Sequence, residues 1–253
     1  MTNASAGREG SGFALFLDFD GTLVDIAPTP DAVVVDPALP PLLDRLRTRL
    51  DGALAVVTGR PLADVDRFLP GRGFDGSGMH GLELRVRGQT AAGAELPDIS
   101  DEIERLRTRL APHPGLLVEG KRVGVAVHWR LQPDAEAAAR DALRDLVSRL
   151  GPAYRLQEGK AVCEIVPGGS DKGEAVRRLM TVSPYRGRIP VFVGDDRTDE
   201  HGFAVAGELG GMAVKVGPGM TEAAFRIASP ARFREVLARW AEAGPTAEGL
   251  EAA

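Results

Sequence analysis

The feature that most constrains this chain is an apolar run that stops abruptly on two carboxylates: Phe13-Ala-Leu-Phe-Leu17, then Asp18, Phe19, Asp20, Gly21, Thr22 and Leu23. So short an apolar run is too brief for a stable helix and suits a buried central strand, and Gly21 marks the turn that follows it. Asp18 and Asp20 therefore fall at a strand's carboxyl end, the edge of an open α/β sheet where ligands bind. Two carboxylates this close repel each other unless a cation lies between them or one keeps its proton. Either solution is chemistry.

The rest of the chain supplies a parallel sheet around that strand. Leu39 to Leu50 predicts a helix with Leu42, Leu43, Leu46 and Leu50 on one face. Ala53 to Thr58 is a second buried strand ending in a polar group, and Pro61 suits the first turn of a helix over Leu62 to Leu69. Strand, helix and strand in succession imply parallel pairing. The pattern then changes. Leu82 to Val86, Leu116 to Glu119, Tyr154 to Gln157 and Ala161 to Val166 read as short strands, and a helix over Pro97 to Leu110 lies among them. Val123 to Arg130 alternates strictly, with Gly124, Ala126, His128 and Arg130 on the side away from the apolar face, and the helix from Ala135 to Leu150 covers the other.

Strand and helix alternate again from Asp171. That aspartate caps a helix to Met180, Ile189 to Gly194 is a strand running into Asp195 and Asp196, and Thr198 opens a helix. Gly211 to Val216 is a further strand and Ala231 to Ala241 the last helix, with residues 1–11 and 243–253 expected as loose tails. The expectation is an α/β protein with a Rossmann-like parallel-sheet core over 1–83 and 168–253, interrupted by an α+β insertion over 84–167.

Composition narrows the classes. With 43% hydrophobic and 26% charged residues in 253, the chain is ordinary globular material, and no apolar run approaches the roughly 18 residues of a membrane span. The polar start lacks the apolar core of a secretion signal, which predicts a cytoplasmic protein, and we expect a monomer with no membrane partner. A net charge of −5 opposes a general role in binding nucleic acid. Cys163 is the lone cysteine and sits in an apolar run, so a buried inert thiol is expected, and the four histidines show no zinc-ligand spacing.

Polar clusters fall at core strand ends or helix starts: Asp18 with Asp20, Thr58, Lys172, and Asp195 with Asp196 and Asp199. Several carboxylates suit Mg²⁺, which prefers hard oxygen donors and is commonly bound beside a substrate phosphate. Lys172 and the Thr58 hydroxyl add a charge and a donor fit for a phosphoryl group. These stretches, Asp18-Phe-Asp-Gly-Thr22, Thr58, Lys172-Gly173 and Gly194-Asp-Asp-Arg-Thr-Asp199, resemble in order the four motifs of the haloacid dehalogenase superfamily. The resemblance implies a core of that type with the insertion as its cap. It implies that Asp18 attacks phosphorus, that Asp20 acts as general acid and base, and that Thr58 and Lys172 complete the catalytic set. It also implies Mg²⁺ held by Asp18, Asp20 and Asp195, with Asp196 and Asp199 nearby.

Further stretches are similar to trehalose-6-phosphate phosphatases: Asp20 to Ala32, Thr58 to Val65, His80-Gly81 with Glu83, Glu119-Gly-Lys121, His128-Trp-Arg130, Glu164 before Pro167, and Gly194 to Glu200 with Phe203. Met79 departs from that pattern, standing where the family has asparagine. The similarity implies a sugar-phosphate substrate contacted by Arg60, His80, Gly81, Glu119, Lys121, His128, Arg130 and Glu164. The residues themselves agree, because Glu119 and Lys121 share one side of an extended segment and a sugar needs donors and acceptors together. Sucrose phosphate and mannosyl-3-phosphoglycerate stay open as substrates at this level, as does an idle sugar-phosphate sensor.

Overall fold

The structure, a computed structural model, describes residues 12–27, 29–92, 98–121, 124–159, 161–168 and 171–253. The chain divides into two compact units, residues 1–93 with 171–253, and residues 94–170. In the first unit the chain runs through β1 (Phe13–Leu17), α1 (Leu39–Arg49), β2 (Leu54–Val57), α2 (Leu62–Phe68), β3 (Asp75–Gly78), β4 (Glu83–Val86) and β5 (Gln89–Ala92). The second unit holds α3 (Ser100–Leu110), β6 (Leu117–Lys121), β7 (Gly124–His128), α4 (Glu136–Leu150), β8 (Tyr154–Gly159) and β9 (Val162–Pro167). The first unit resumes with α5 (Lys172–Met180), β10 (Ile189–Gly194), α6 (Glu200–Glu208), β11 (Met212–Val216), β12 (Phe225–Ile227), α7 (Pro230–Ala243) and β13 (Glu251–Ala252).

Among the described residues, nine strands of the first unit form one sheet in the order β13-β12-β11-β10-β1-β2-β3-β4-β5. From β12 to β3 every pair is parallel, and the outer strands β13, β4 and β5 add antiparallel. This is the mixed α/β core that the sequence predicts. Leu15, Phe16, Leu17, Val57, Val191, Phe192 and Val193 are fully buried in it, and each such side chain contributes about 1.5–3 kcal/mol of burial. The central strands read as unbroken apolar runs because helices cover both faces of a parallel sheet.

Two expectations differ from what folds. Residues 84–92 fall in the expected insertion, but β4 and β5 extend the core sheet by pairing with β3, so the second unit begins at residue 94. The stretch 243–253 is no loose tail among the described residues: Trp240 Nε1 donates to the Thr246 carbonyl at 3.1 Å and β13 pairs with β12.

Among the described residues, the second unit holds a four-stranded antiparallel sheet in the order β6-β7-β9-β8. α3 and α4 cover one face, where Ile103, Leu106, Val125, Val127, Leu143, Leu146, Cys163 and Ile165 form a separate core. The helix from Asp171 begins as expected, with the Asp171 carboxylate accepting the Glu174 N–H at 2.8 Å. Thr198 does not open α6 directly. A single 3-10 turn over Arg197–Asp199 comes first, fixed by a reciprocal cap between Asp196 and Asp199. Among the described residues no helix is long and apolar enough to cross a membrane.

Candidate active site

Three adjacent parallel strands, β10, β1 and β2, end in Asp195, Asp18 and Thr58, so their polar tips lie along one sheet edge. Asp18 is buried, and its N–H donates to the Val193 carbonyl at 2.9 Å, which ties it to β10. Lys172, at the start of α5, is equally buried. Its Nζ donates to Asp18 Oδ1 at 2.7 Å and to Asp199 Oδ1 at 2.6 Å. Thr22 Oγ1 donates to the other oxygen of Asp18 at 3.1 Å.

Asp199, fully buried, is more heavily engaged than its place in a helix-opening turn suggested. Besides Lys172 it accepts the backbone N–H groups of Asp195 at 3.1 Å and Asp196 at 3.0 Å. It therefore holds the loop that presents Asp195. Asp196 itself is exposed. The position before that loop must be glycine for a packing reason, since a Cβ on Gly194 would lie 2.2 Å from the Asp199 carboxyl carbon.

Carboxylate oxygens of Asp18, Asp195 and Asp199 lie within 4.8 Å of one another. Burial above all pushes the Asp18 carboxyl well up, against the pull of Lys172, with Asp199 and Asp195 adding to the rise. Burial, then the Asp199 charge, pushes Asp195 up to about 6. Lys172 shows the opposite balance: burial alone would depress its ammonium, yet Asp18 and Asp199 raise it above its usual value. So one buried lysine is set against three crowded carboxyl groups, and a divalent cation there would favour their ionised forms. The donor set is hard oxygen throughout, which suits Mg²⁺.

Gly21 forms the floor of this cluster. Its φ is +78°, and a Cβ there would sit 2.1 Å from Asp195 Oδ2, so both the turn and the carboxylate's position require glycine. Asp20 is half-buried and faces Arg60, whose Nε and Nη2 donate to its two oxygens. Thr58 is buried; its N–H donates to the Ser77 carbonyl at 2.9 Å and its Oγ1 accepts the Arg60 N–H at 3.2 Å. Of the remaining expected contacts in this unit, the Gly81 carbonyl accepts from Arg178 at 3.3 Å, while the His80 side chain lies outside the described part.

The second unit gathers its own polar set. Glu119, Ala126, Glu164 and Gln157 lie side by side across β6, β7, β9 and β8, hence on one face of the sheet, with Lys121 and His128 two residues along. Lys121 Nζ donates to Glu164 Oε2 at 2.6 Å, and His128 Nε2 meets Glu119 Oε2 at 2.9 Å. Arg130 is exposed just past the end of β7. Glu119, Lys121, His128 and Glu164 are thus brought together, away from α3 and α4, as their alternation predicts. Gln157 shares this face through its register opposite Glu164, and register is not readable from one strand.

Residues 16–230 match the model of the trehalose-phosphatase family. The chain is 43% identical to the trehalose-6-phosphate phosphatase of Escherichia coli over 219 residues, 85% of this chain and 82% of that one. It is 41% identical to a probable trehalose-phosphate phosphatase of Sinorhizobium fredii over 233 residues, 89% of this chain and 86% of that one. Among solved structures it resembles a trehalose-6-phosphate phosphatase related protein with a TM-score of 0.75 at 29% identity, covering 91% of this chain and 98% of that one. The C-terminal domain of the Candida albicans trehalose-6-phosphate phosphatase matches with a TM-score of 0.74 at 25% identity over 92% of each chain.

Proposed function

The chain belongs to the trehalose-phosphatase family, and from that premise we propose that it hydrolyses trehalose 6-phosphate to trehalose and phosphate, using Mg²⁺ and an aspartyl-phosphate on Asp18. The observation that carries the reading is the buried Asp18 carboxylate, held from both oxygens by Lys172 and Thr22 within 4.8 Å of a second acid, Asp195. A carboxylate oriented in this way is a nucleophile with a fixed line of attack.

In the first step an Asp18 oxygen bonds to phosphorus as the bond from phosphorus to the sugar oxygen breaks. Asp20, which must turn from Arg60 and take up a proton for this step, gives that proton to the departing oxygen, and trehalose leaves. Water then attacks phosphorus, passes its proton to Asp20, and frees Asp18 as phosphate departs. Splitting a slow hydrolysis in two is what covalent catalysis offers. Asp18 and Asp195 would hold Mg²⁺ by their side chains and Asp20 by its carbonyl, with Asp196 and Asp199 nearby; the ion's contribution is to neutralise charge on the transferring oxygens. Lys172 adds a fixed positive charge beside the attacking carboxylate, and the Thr58 hydroxyl and backbone donors would hold the phosphoryl oxygens.

The polar face of Glu119, Lys121, His128 and Glu164, with Arg130 at its margin, supports recognition of sugar hydroxyls, since it offers donors and acceptors at strand spacing. Arg60, His80 and Gly81 complete the proposed substrate contacts. Phosphate release from trehalose 6-phosphate, sucrose phosphate and mannosyl-3-phosphoglycerate, each with Mg²⁺ and with a chelator, tests the reading. Preference for trehalose 6-phosphate with loss on chelation is expected. Equal rates on all three would overturn the substrate, and rates unchanged by chelation would overturn the metal.

A further inference from the structure

Lys215 is a buried ammonium that the reaction does not use. It lies in the middle of an apolar strand, between Val214 and Val216, and is 5% exposed. Among the described residues no carboxylate pairs with it. Its Nζ donates instead to two main-chain carbonyls, Asp195 O and, at 3.0 Å, Val216 O. Moving an ammonium out of water costs several kcal/mol when no counter-charge accompanies it, and a methionine would fill the same volume without that cost.

One of these carbonyls belongs to the peptide that follows Asp195. Parallel pairing sets Lys215 beside Gly194, one residue before Asp195. The Asp195 backbone is then held at both ends, its N–H by Asp199 Oδ2 at 3.1 Å and its carbonyl by Lys215. Its side chain rests over Gly21. The backbone groups are fixed, and the carboxylate above Gly21 has an oxygen within 4.8 Å of those of Asp18 and Asp199.

We propose that Lys215 is a positioning residue that fixes the Asp195 peptide, so that the Asp195 and Asp18 carboxylates face one divalent cation. The inference rests on the reading of those two acids as metal ligands. Groups that orient metal-binding residues from behind typically contribute 10- to 100-fold in metal affinity or activity.

The test is Mn²⁺ binding to the purified protein, read by electron paramagnetic resonance of the free ion, for wild type and Lys215→Met, with thermal melts of both. Binding weakened about tenfold or more in the variant, with a melting temperature no lower than that of wild type, is the expected result. A lower melting temperature with unchanged Mn²⁺ affinity would mean that the lysine only supports the fold, and overturns the proposal. If Lys215→Met does not fold, Lys215→Gln is read in the same way; failure of both to fold also overturns it. Absence of Mn²⁺ binding by wild type would strike the metal reading itself, whereas equal binding by wild type and variant strikes only the role given to Lys215.

Discussion

Arg60 and Asp20, far apart in the chain, meet in a two-point ion pair: Nε donates to Oδ2 at 2.5 Å and Nη2 to Oδ1 at 2.8 Å. The guanidinium also lies over the Phe68 ring, 5.2 Å from its centre, and 5.9 Å from that of Phe19. The pair raises the Arg60 guanidinium above its usual value, the hydrogen bond to Asp20 contributing most. A planar fork on a planar carboxylate fixes orientation as well as charge, and lysine cannot reproduce it.

Arg60→Lys is therefore expected to lower turnover more than it weakens substrate binding, by about 10- to 100-fold in kcat, the loss of a charge-assisted bond of about 1.5–3 kcal/mol. Steady-state kinetics on trehalose 6-phosphate separate the cases. A rise in KM with kcat unchanged would return Arg60 to substrate contact alone.

Gly21→Ala places a methyl group where Asp195 Oδ2 now lies and forces a side chain onto a left-handed backbone. The conformational cost alone is about 1–2 kcal/mol, and displacement of Asp195 adds to it. We expect a lower melting temperature together with loss of most activity, measured by thermal melt and phosphate release. Wild-type activity in a stable Gly21→Ala protein would show that Asp195 need not sit over Gly21.

The motif positions were legible because each announces itself locally. Asp18, Thr58 and Asp195 follow apolar strands, and a change from apolar to acidic at a strand end is visible in one stretch of chain. β3 was not legible: Asp75-Gly-Ser-Gly78 has the composition of a turn, yet it is fully buried beside β2, where a Cβ on Gly76 would lie 2.3 Å from the Val56 carbonyl oxygen. Its small residues answer a neighbour that the sequence does not identify. For the same reason the pairs Arg60 with Asp20 and Lys215 with Asp195 were hidden, since each joins segments that only the sheet order brings together. The hairpin of β4 and β5 joins the core sheet and not the expected insertion, and strand period says nothing about which sheet a strand joins.

Far from the chemistry, at the amino end of β3, the buried Tyr185 hydroxyl lies 3.0 Å from Asp75 Oδ2 and 3.1 Å from the Leu54 carbonyl. Tyr185→Phe leaves those acceptors a donor short, at about 1–3 kcal/mol. Chemical denaturation should record that loss while kcat stays at the wild-type value. A matching fall in kcat would contradict this separation of stability from catalysis.

Cys163 is buried and its thiol is pushed up to about 11, mainly by burial. At pH 8 about one thiol in a thousand is then ionised, and only the thiolate reacts. Slow modification of the native protein and fast modification in denaturant are expected. An acid raised in the folded state contributes its full stability below the unfolded value near 9 and loses it as pH rises toward 11. Stability measured across that window should therefore fall with pH, and a thiol as reactive in the native as in the denatured protein would refute the assignment.

The most direct measurement is phosphate release from trehalose 6-phosphate in Mg²⁺ by wild type and by Asp18→Asn, with circular dichroism to verify that the variant folds. Nucleophilic attack by Asp18 predicts steady turnover by wild type and none above background by a folded Asp18→Asn protein. Release by that variant at the wild-type rate would contradict it.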